Sequence, residues 1–235
     1  MRTIIWFIYF WLYLLVIWPK MRRAQKLEAA GDLIGRDEIV QRMVRRWAAA
    51  LLRVAGVTVE VSGLEHIPPR PVVFVCNHQG NFDIPILLAN LDHAYPMLAK
   101  AELLKVPLIR GWMRLLECVF IDRRDPRQSV AALSQSVKLV KKGYSIVIFP
   151  EGTRGKGGPM GEFKYGAFKI AVKAGVPIIP VRIEGSYKVM EKNHNFIRPA
   201  TVRLTVLPPV ETKDLSKEEA GQIHLVVKSL IAAAE

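Results

Sequence analysis

Val72-Val73-Phe74-Val75-Cys76-Asn77-His78-Gln79-Gly80-Asn81-Phe82-Asp83-Ile84-Pro85-Ile86-Leu87-Leu88 holds the plan of the chain in miniature. Val72 to Cys76 are apolar throughout, with no alternation, which predicts a strand buried on both faces. Ile84-Pro85 opens an apolar helix, because proline lacks only an N–H that a first helical turn leaves unpaired anyway. Between the two, a histidine stands at a strand end with a carboxylate five residues on. Along a straight helix five residues turn through roughly 500°, and the side chains would diverge. With His78 in the strand-to-helix turn and Asp83 in or just before the first helical turn, the carboxylate can fold back to the imidazole. That makes a general base oriented by an acid. The plain alternative is a turn histidine followed by a helix-capping aspartate.

The same alternation continues outward. Val57, Val59 and Val61 make a short strand, and Ile84 to Leu91 a helix. Ala94 to Ala99 reads as an edge or irregular strand because of Pro96. Val106 to Leu116 reads as a short helix, and Cys118 to Ile121 as a brief strand ending in Asp122-Arg123-Arg124-Asp125. Arg127 to Lys142 is a helix with Val130, Leu133, Val137 and Val140 as its apolar stripe. Ile146 to Phe149 is an apolar strand, followed by a glycine-rich loop from Glu151 to Gly161. A helix over about Phe163 to Lys173, strands at Val176 to Ile183 and Val202 to Leu207, and a helix opened by the Ser216/Glu219 capping box complete the pattern. The expected fold is α/β, a mostly parallel central sheet flanked by helices. In such sheets ligands gather at the carboxyl ends of the strands, where His78, Arg123 and the segment Glu151 to Arg154 fall.

Ahead of this domain the chain is different. Residues 4 to 18 are uninterruptedly apolar or aromatic. As a helix they cover roughly 22 Å, short of a hydrocarbon core of about 30 Å. Their tryptophans and tyrosines suit a membrane interface, and no small-residue cleavage site follows Trp18, so an uncleaved anchor is expected rather than a signal peptide. Lys20, Arg22, Arg23 and Lys26 follow, suited to anionic lipid headgroups. A second helix from about Asp37 to Val54 sets Ile39, Met43, Trp47 and Leu51 on one face and Arg36, Arg42, Arg45, Arg46 and Arg53 on another. It is either a membrane-surface element or a helix docked on the domain. The division expected is a two-helix membrane-associated arm over 1–55 and an α/β domain over 56–235.

Lysine and arginine outnumber aspartate and glutamate by 34 to 21, a net charge of +13, so the partners expected are anionic. An apolar fraction of 51% excludes a disordered chain. The aromatics concentrate in the first 18 residues rather than interleaving with a basic patch, which argues against nucleic acid. Cys76 and Cys118 lie in apolar runs as buried free thiols, and neither zinc-ligand spacing nor a phosphate-binding glycine fingerprint is present.

Taken singly, the charged strand ends have ordinary readings: a solvated turn at Asp122-Arg123, a loop ion pair at Glu151 to Arg154, and an edge or bulged strand at the two prolines of Val176 to Val181. Taken in order, they resemble the four blocks of the glycerolipid acyltransferases, particularly the 1-acylglycerol-3-phosphate (lysophosphatidic acid) acyltransferases. The blocks are Asn77-His78 with Asp83, Phe120-Ile121-Asp122-Arg123, Phe149-Pro150-Glu151-Gly152-Thr153-Arg154, and Val176-Pro177-Ile178-Ile179-Pro180-Val181. Ala99 to Leu103 with Pro107 and Gly111 matches the stretch between the first two blocks. Only Gln79-Gly80 departs, where many members carry Arg or Gln and then Ser. The resemblance spans about residues 58 to 190.

The resemblance implies transfer of an acyl group from an acyl thioester to the free sn-2 hydroxyl of 1-acylglycerol-3-phosphate, giving phosphatidic acid. It implies His78 as general base and Asp83 as its orienter. Arg123 and Arg154 would bind the acceptor's phosphate, and Glu151, with Gly152 and Thr153, would position its glycerol hydroxyl. Lys100 and Lys105 are further phosphate candidates. Donors for the tetrahedral intermediate are sought near Gly152 or at the helix start after His78. No cofactor or metal is implied. The expected partners are membrane phospholipids, lysophosphatidic acid and acyl-CoA or acyl carrier protein, at the cytoplasmic face of a bacterial inner or plasma membrane. Glycerol-3-phosphate or another lysophospholipid is the alternative acceptor. Outside enzymes, the alternative is a basic membrane-surface or nucleic-acid-binding protein.

Overall fold

The computed structural model describes residues 1–122 and 124–234. In it the apolar runs become strands β1 (Val57–Ser62), β2 (Val73–Cys76), β3 (Leu98–Lys100), β4 (Val119–Ile121), β5 (Ile146–Ile148), β6 (Ile178–Glu184) and β7 (Ala200–Val206). Five of them form a sheet in the order β1-β7-β6-β2-β5, parallel at every pairing except β6–β7. β3 and β4 pair in parallel and join β5 through a bridge between Met97 and Val147. Strands β2 to β6 therefore all run the same way, and their carboxyl ends share one edge of the sheet.

The helices are α1 (Arg2–Val16), α2 (Trp18–Ala29), α3 (Leu33–Ala55), α4 (Asp83–Asn90), α5 (Pro107–Leu115), α6 (Pro126–Lys141), α7 (Tyr165–Ala174) and α8 (Lys217–Ala233). Strand side chains alternate between faces, so β2 serves two cores. Phe74 and Cys76 pack with α3, α4 and α5, while Val73 and Val75 pack with α6, α7 and α8. The mostly parallel sheet covered on both faces is thus what the sequence builds.

Several local readings are corrected. Val130 is 68% exposed, whereas Val140 is buried and Leu133 and Val137 pack half-buried on the core as expected, joined there by buried Ala132, Ser136 and Leu139. β6 is neither an edge nor a bulge but lies between β2 and β7. A strand residue's N–H and C=O point the same way, and Pro180 C=O accepts from Leu207 N at 2.9 Å. Its missing donor therefore faces β7 just outside the regular ladder, which starts at Val181, so the proline removes one bond at the ladder's end and none within it.

Both helices expected before the domain are present, and α2 is a third between them. Pro19 sits in its first turn instead of ending a segment, and Ile17 stays in the right-handed region, so the chain bends by 42° between α1 and α2 rather than stopping. The apolar stripe of α3 docks on the sheet: Ile39, Val40, Met43, Val44, Ala48, Leu51 and Leu52 are buried. Arg36 leaves the basic face expected of it. It is 2% exposed and bonds Asp37, Glu28, Glu117 and Tyr144, tying α2 and α3 to the starts of β4 and β5. α1 keeps Trp6 and Leu14 inward and exposes Ile4, Ile5, Phe7, Ile8, Trp11, Leu12, Leu15 and Val16. Among the described residues no single helix is long and apolar enough to cross a membrane, although the bent pair α1–α2 is, by length and composition.

Candidate active site

His78 follows β2, and the chain turns through Gln79-Gly80-Asn81 into α4. The turn is tight because Asp83 gathers it. Asp83 Oδ2 accepts from His78 Nδ1 at 2.7 Å, from Gln79 N at 2.7 Å and from Gly80 N at 2.9 Å. Its Oδ1 accepts from the Ser186 hydroxyl. The carboxylate is fully buried with four donors, which is how a buried charge is tolerated. A carboxylate only accepts, so Nδ1 carries the proton and Nε2 of the neutral ring is the acceptor. The imidazole is 18% exposed and stacks on Phe149, ring centroids 4.2 Å apart. The expected fold-back of the acid onto the base is therefore the geometry observed.

The glycine-rich loop after β5 holds the other side of the turn. Glu151 Oε1 accepts from His78 N at 2.7 Å, and Oε2 from Gly161 N at 2.8 Å. Gly155 N and Lys156 N donate to the carbonyls of His78 and Gln79, at 2.8 and 3.0 Å. Glu151 is 7% exposed, so its carboxylate is turned into the protein, bracing the histidine's backbone. Gly152 lies at φ +75°, in the left-handed region that favours glycine, where the loop leaves the strand. Thr153 and Arg154 are exposed beyond it.

Arg154 reaches back to the first block, donating to Asn81 Oδ1. Asn81 N in turn donates to Glu191 Oε1 at 2.7 Å. Lys100 ends β3 beside Ile121 of β4, exposed on the same sheet edge, and Lys105 is exposed on the short turn that follows. Arg123 lies outside the described residues. Of the amides suggested for an oxyanion, five are bonded within the protein. Those of residues 78 to 81 bond Glu151, Asp83 or Glu191, and Gly152 N donates to Phe149 O at 3.1 Å.

Sequence reasoning missed three residues. Asn77 pairs by both side-chain atoms with the backbone of Ile183, locking β2 to β6 (2.9 and 2.7 Å). Gln79 ties the turn to the end of β6, its Oε1 accepting from Gly185 N at 2.8 Å. Ser186 is wholly buried against Asp83. Only the position of Gly185-Ser186 just past an apolar strand hinted at the last.

Neither buried thiol is placed to act here. Burial, and then the charge of Asp83, push the Cys76 thiol up; burial pushes Cys118 up to about 12. Among the described residues no Ser, Thr or Cys side chain bonds His78, and no three His, Cys, Asp or Glu gather as metal ligands. The site can take a proton from a group at Nε2 and hold the resulting imidazolium against a buried carboxylate.

An acyltransferase family model matches residues 58–184, from β1 to the end of β6. The chain is 40% identical over 167 residues to the chloroplastic 1-acyl-sn-glycerol-3-phosphate acyltransferase BAT2 of Brassica napus, which covers 68% of this chain and 48% of that one. It is 32% identical over 190 residues to the 1-acyl-sn-glycerol-3-phosphate acyltransferase of Borreliella burgdorferi, covering 80% and 76%. The crystal structure of the 1-acyl-sn-glycerophosphate (LPA) acyltransferase from Thermotoga maritima matches with a TM-score of 0.77 at 28% identity, over 98% of this chain and 95% of that one. The chain spans about half the length of several curated relatives it matches.

Proposed function

This chain belongs to the acyltransferase family, and we propose that it moves a fatty acyl group from an acyl thioester to the sn-2 hydroxyl of 1-acylglycerol-3-phosphate. The observation that carries the reading is the His78 Nδ1–Asp83 Oδ2 hydrogen bond of 2.7 Å at the carboxyl edge of the sheet, which leaves Nε2 for a substrate hydroxyl. The acceptor's O–H donates to Nε2 and its oxygen attacks the thioester carbon. The proton passes to the ring, and the imidazolium formed is stabilised by Asp83. Collapse of the tetrahedral intermediate breaks the C–S bond, and the same nitrogen returns the proton to the departing thiolate. The absence of a side-chain nucleophile bonded to His78 among the described residues supports direct transfer over a covalent acyl-enzyme.

Arg154, steadied by Asn81, binds the acceptor's phosphate, since a guanidinium fork matches phosphate oxygens. Arg123 and the lysines Lys100 and Lys105 complete the anion site. Glu151 acts through the base it braces rather than on the glycerol. No cofactor is used; the acyl donor is acyl-CoA or acyl carrier protein.

Residues 1–55 hold the enzyme on the cytoplasmic face of its membrane, with the exposed face of α1 in one leaflet. So large a contiguous apolar surface suits a lipid interface. Trp6 links that helix to the site, packing on Phe82 beside Asp83 (ring centroids 5.3 Å apart) and donating to Leu51 O at 3.0 Å. The test is thiol release from acyl-CoA with lysophosphatidic acid or glycerol-3-phosphate as acceptor, with the lipid product identified by mass. Phosphatidic acid from the lyso-lipid is the result expected. Transfer to glycerol-3-phosphate alone would overturn the assignment of the acceptor.

A further inference from the structure

Ser186 has no part in the reaction as written, yet it is fully buried and spends its hydroxyl on the one oxygen of Asp83 that His78 does not use. It lies just past the end of β6, more than a hundred residues after Asp83, so the contact is tertiary and not a turn habit. Its place is fixed twice. Gly185, at φ +90°, carries the chain out of β6 in a conformation a side chain would strain, and Gly185 N donates to Gln79 Oε1 at 2.8 Å. An added Cβ on Gly185 would also come within 3.0 Å of Thr201 O. The end of β6 is thereby pinned to the turn that carries the base.

We propose that Ser186 is a positioning residue of the catalytic pair, holding Asp83 in the rotamer that aims Oδ2 at His78 and moderating its charge by hydrogen bonding. This rests on the general-base reading above. Asp83 Oδ2 already has three donors, and Oδ1 has only Ser186 among the described residues. Removing that hydroxyl concentrates negative charge on the carboxylate and frees it to rotate. The first effect stabilises the imidazolium and raises the apparent ionisation of His78; the second lowers the fraction of enzyme with the base aligned. The other charged groups about this turn are Glu151 at the His78 amide, Arg154 on Asn81, and Glu191 behind it. All remain in place when Ser186 is changed.

The experiment compares wild type, Ser186→Ala and Ser186→Cys, the last keeping a weak donor of similar size. Two readouts are used: pH profiles of kcat/KM, and the pH dependence of carbethoxylation of the His78 peptide followed by mass spectrometry, which needs no turnover. For Ser186→Ala the acid limb and the carbethoxylation midpoint should both move up by about half to one pH unit. Its kcat should fall about tenfold with KM for both substrates nearly unchanged, and Ser186→Cys should fall between. In an Asp83→Asn background Ser186→Ala should move neither readout further. An unmoved midpoint in a folded Ser186→Ala protein would overturn the proposal, whatever the activity. Absent transfer in wild type with a shifted midpoint would overturn only the reaction assigned.

Discussion

Changing Asp83 to asparagine separates the charge of the catalytic pair from its geometry. The fully buried carboxylate accepts three hydrogen bonds on Oδ2 and one, from a hydroxyl, on Oδ1. An asparagine can set its carbonyl at the Oδ2 position and keep all three, while its NH₂ meets the Ser186 hydroxyl, which can accept as well as donate. The fold should therefore survive. What disappears is the negative charge facing the imidazolium. At about 4 Å and an effective dielectric near 20, that is of order 4 kcal/mol, or about a thousandfold in kcat. Asp83→Ala is the contrast, because it strands four donors around a fully buried position. At about 1–3 kcal/mol each, the loss consumes much of the roughly 5–15 kcal/mol that holds a domain together. Thermal melting and thiol release on both variants give the answer. Asp83→Asn should melt close to wild type with about a thousandth of its kcat, and Asp83→Ala should melt far lower or fail to fold. An Asp83→Asn enzyme with near-wild-type kcat, or one as unstable as the alanine variant, would refute the reasoning.

Three further outcomes are expected. Glu151→Ala leaves the amides of His78 and Gly161 without their acceptors, at about 1–3 kcal/mol each. It should lower the melting temperature, open the loop between residues 152 and 161 to protease and lower kcat more than it raises the acceptor's KM; a pure KM effect would restore a direct contact with substrate. The two thiols are raised in the fold, so their contribution is full below the ordinary thiol range near 8.5 and is lost as pH rises above it, for Cys118 up to about 12. Native protein at pH 8 should be inert to Ellman's reagent until denaturant is added, and urea midpoints should fall between pH 9 and 11. Replacing exposed Phe7, Trp11 and Leu15 by serine should leave the melting temperature within a few degrees yet weaken sedimentation with lipid vesicles by about tenfold or more; unchanged sedimentation would remove α1 from the lipid surface.

What could be read from the sequence follows the strength of local physics. β2 and β5 announce themselves because strands buried on both faces tolerate little but β-branched and aromatic residues. α8 does so through its capping box, which forms as expected. The His78–Asp83 pair was legible because its five-residue spacing works across a strand-to-helix turn. α2 was not, since its mean composition is polar and only Met21 and Ala24 are buried; packing on α3 and α5, where Met21 Sδ would lie 2.3 Å from a Cβ on Gly111, makes it a helix. Arg36 reads as one more basic surface residue until the fold brings Glu117 and Tyr144 to it. Ser186 and the inward turn of Glu151 depend on contacts between residues 73 and 103 positions apart, which no local pattern encodes.

Whether His78 acts as a base in direct transfer is read from thiol release from acyl-CoA with and without lysophosphatidic acid, for wild type and His78→Ala. Wild type should release thiol only when the acceptor is present, and His78→Ala should release it at the buffer background in both cases. Equal release by the two proteins, or a stoichiometric burst from wild type without acceptor that leaves the acyl group on the protein, would contradict direct transfer with His78 as the base.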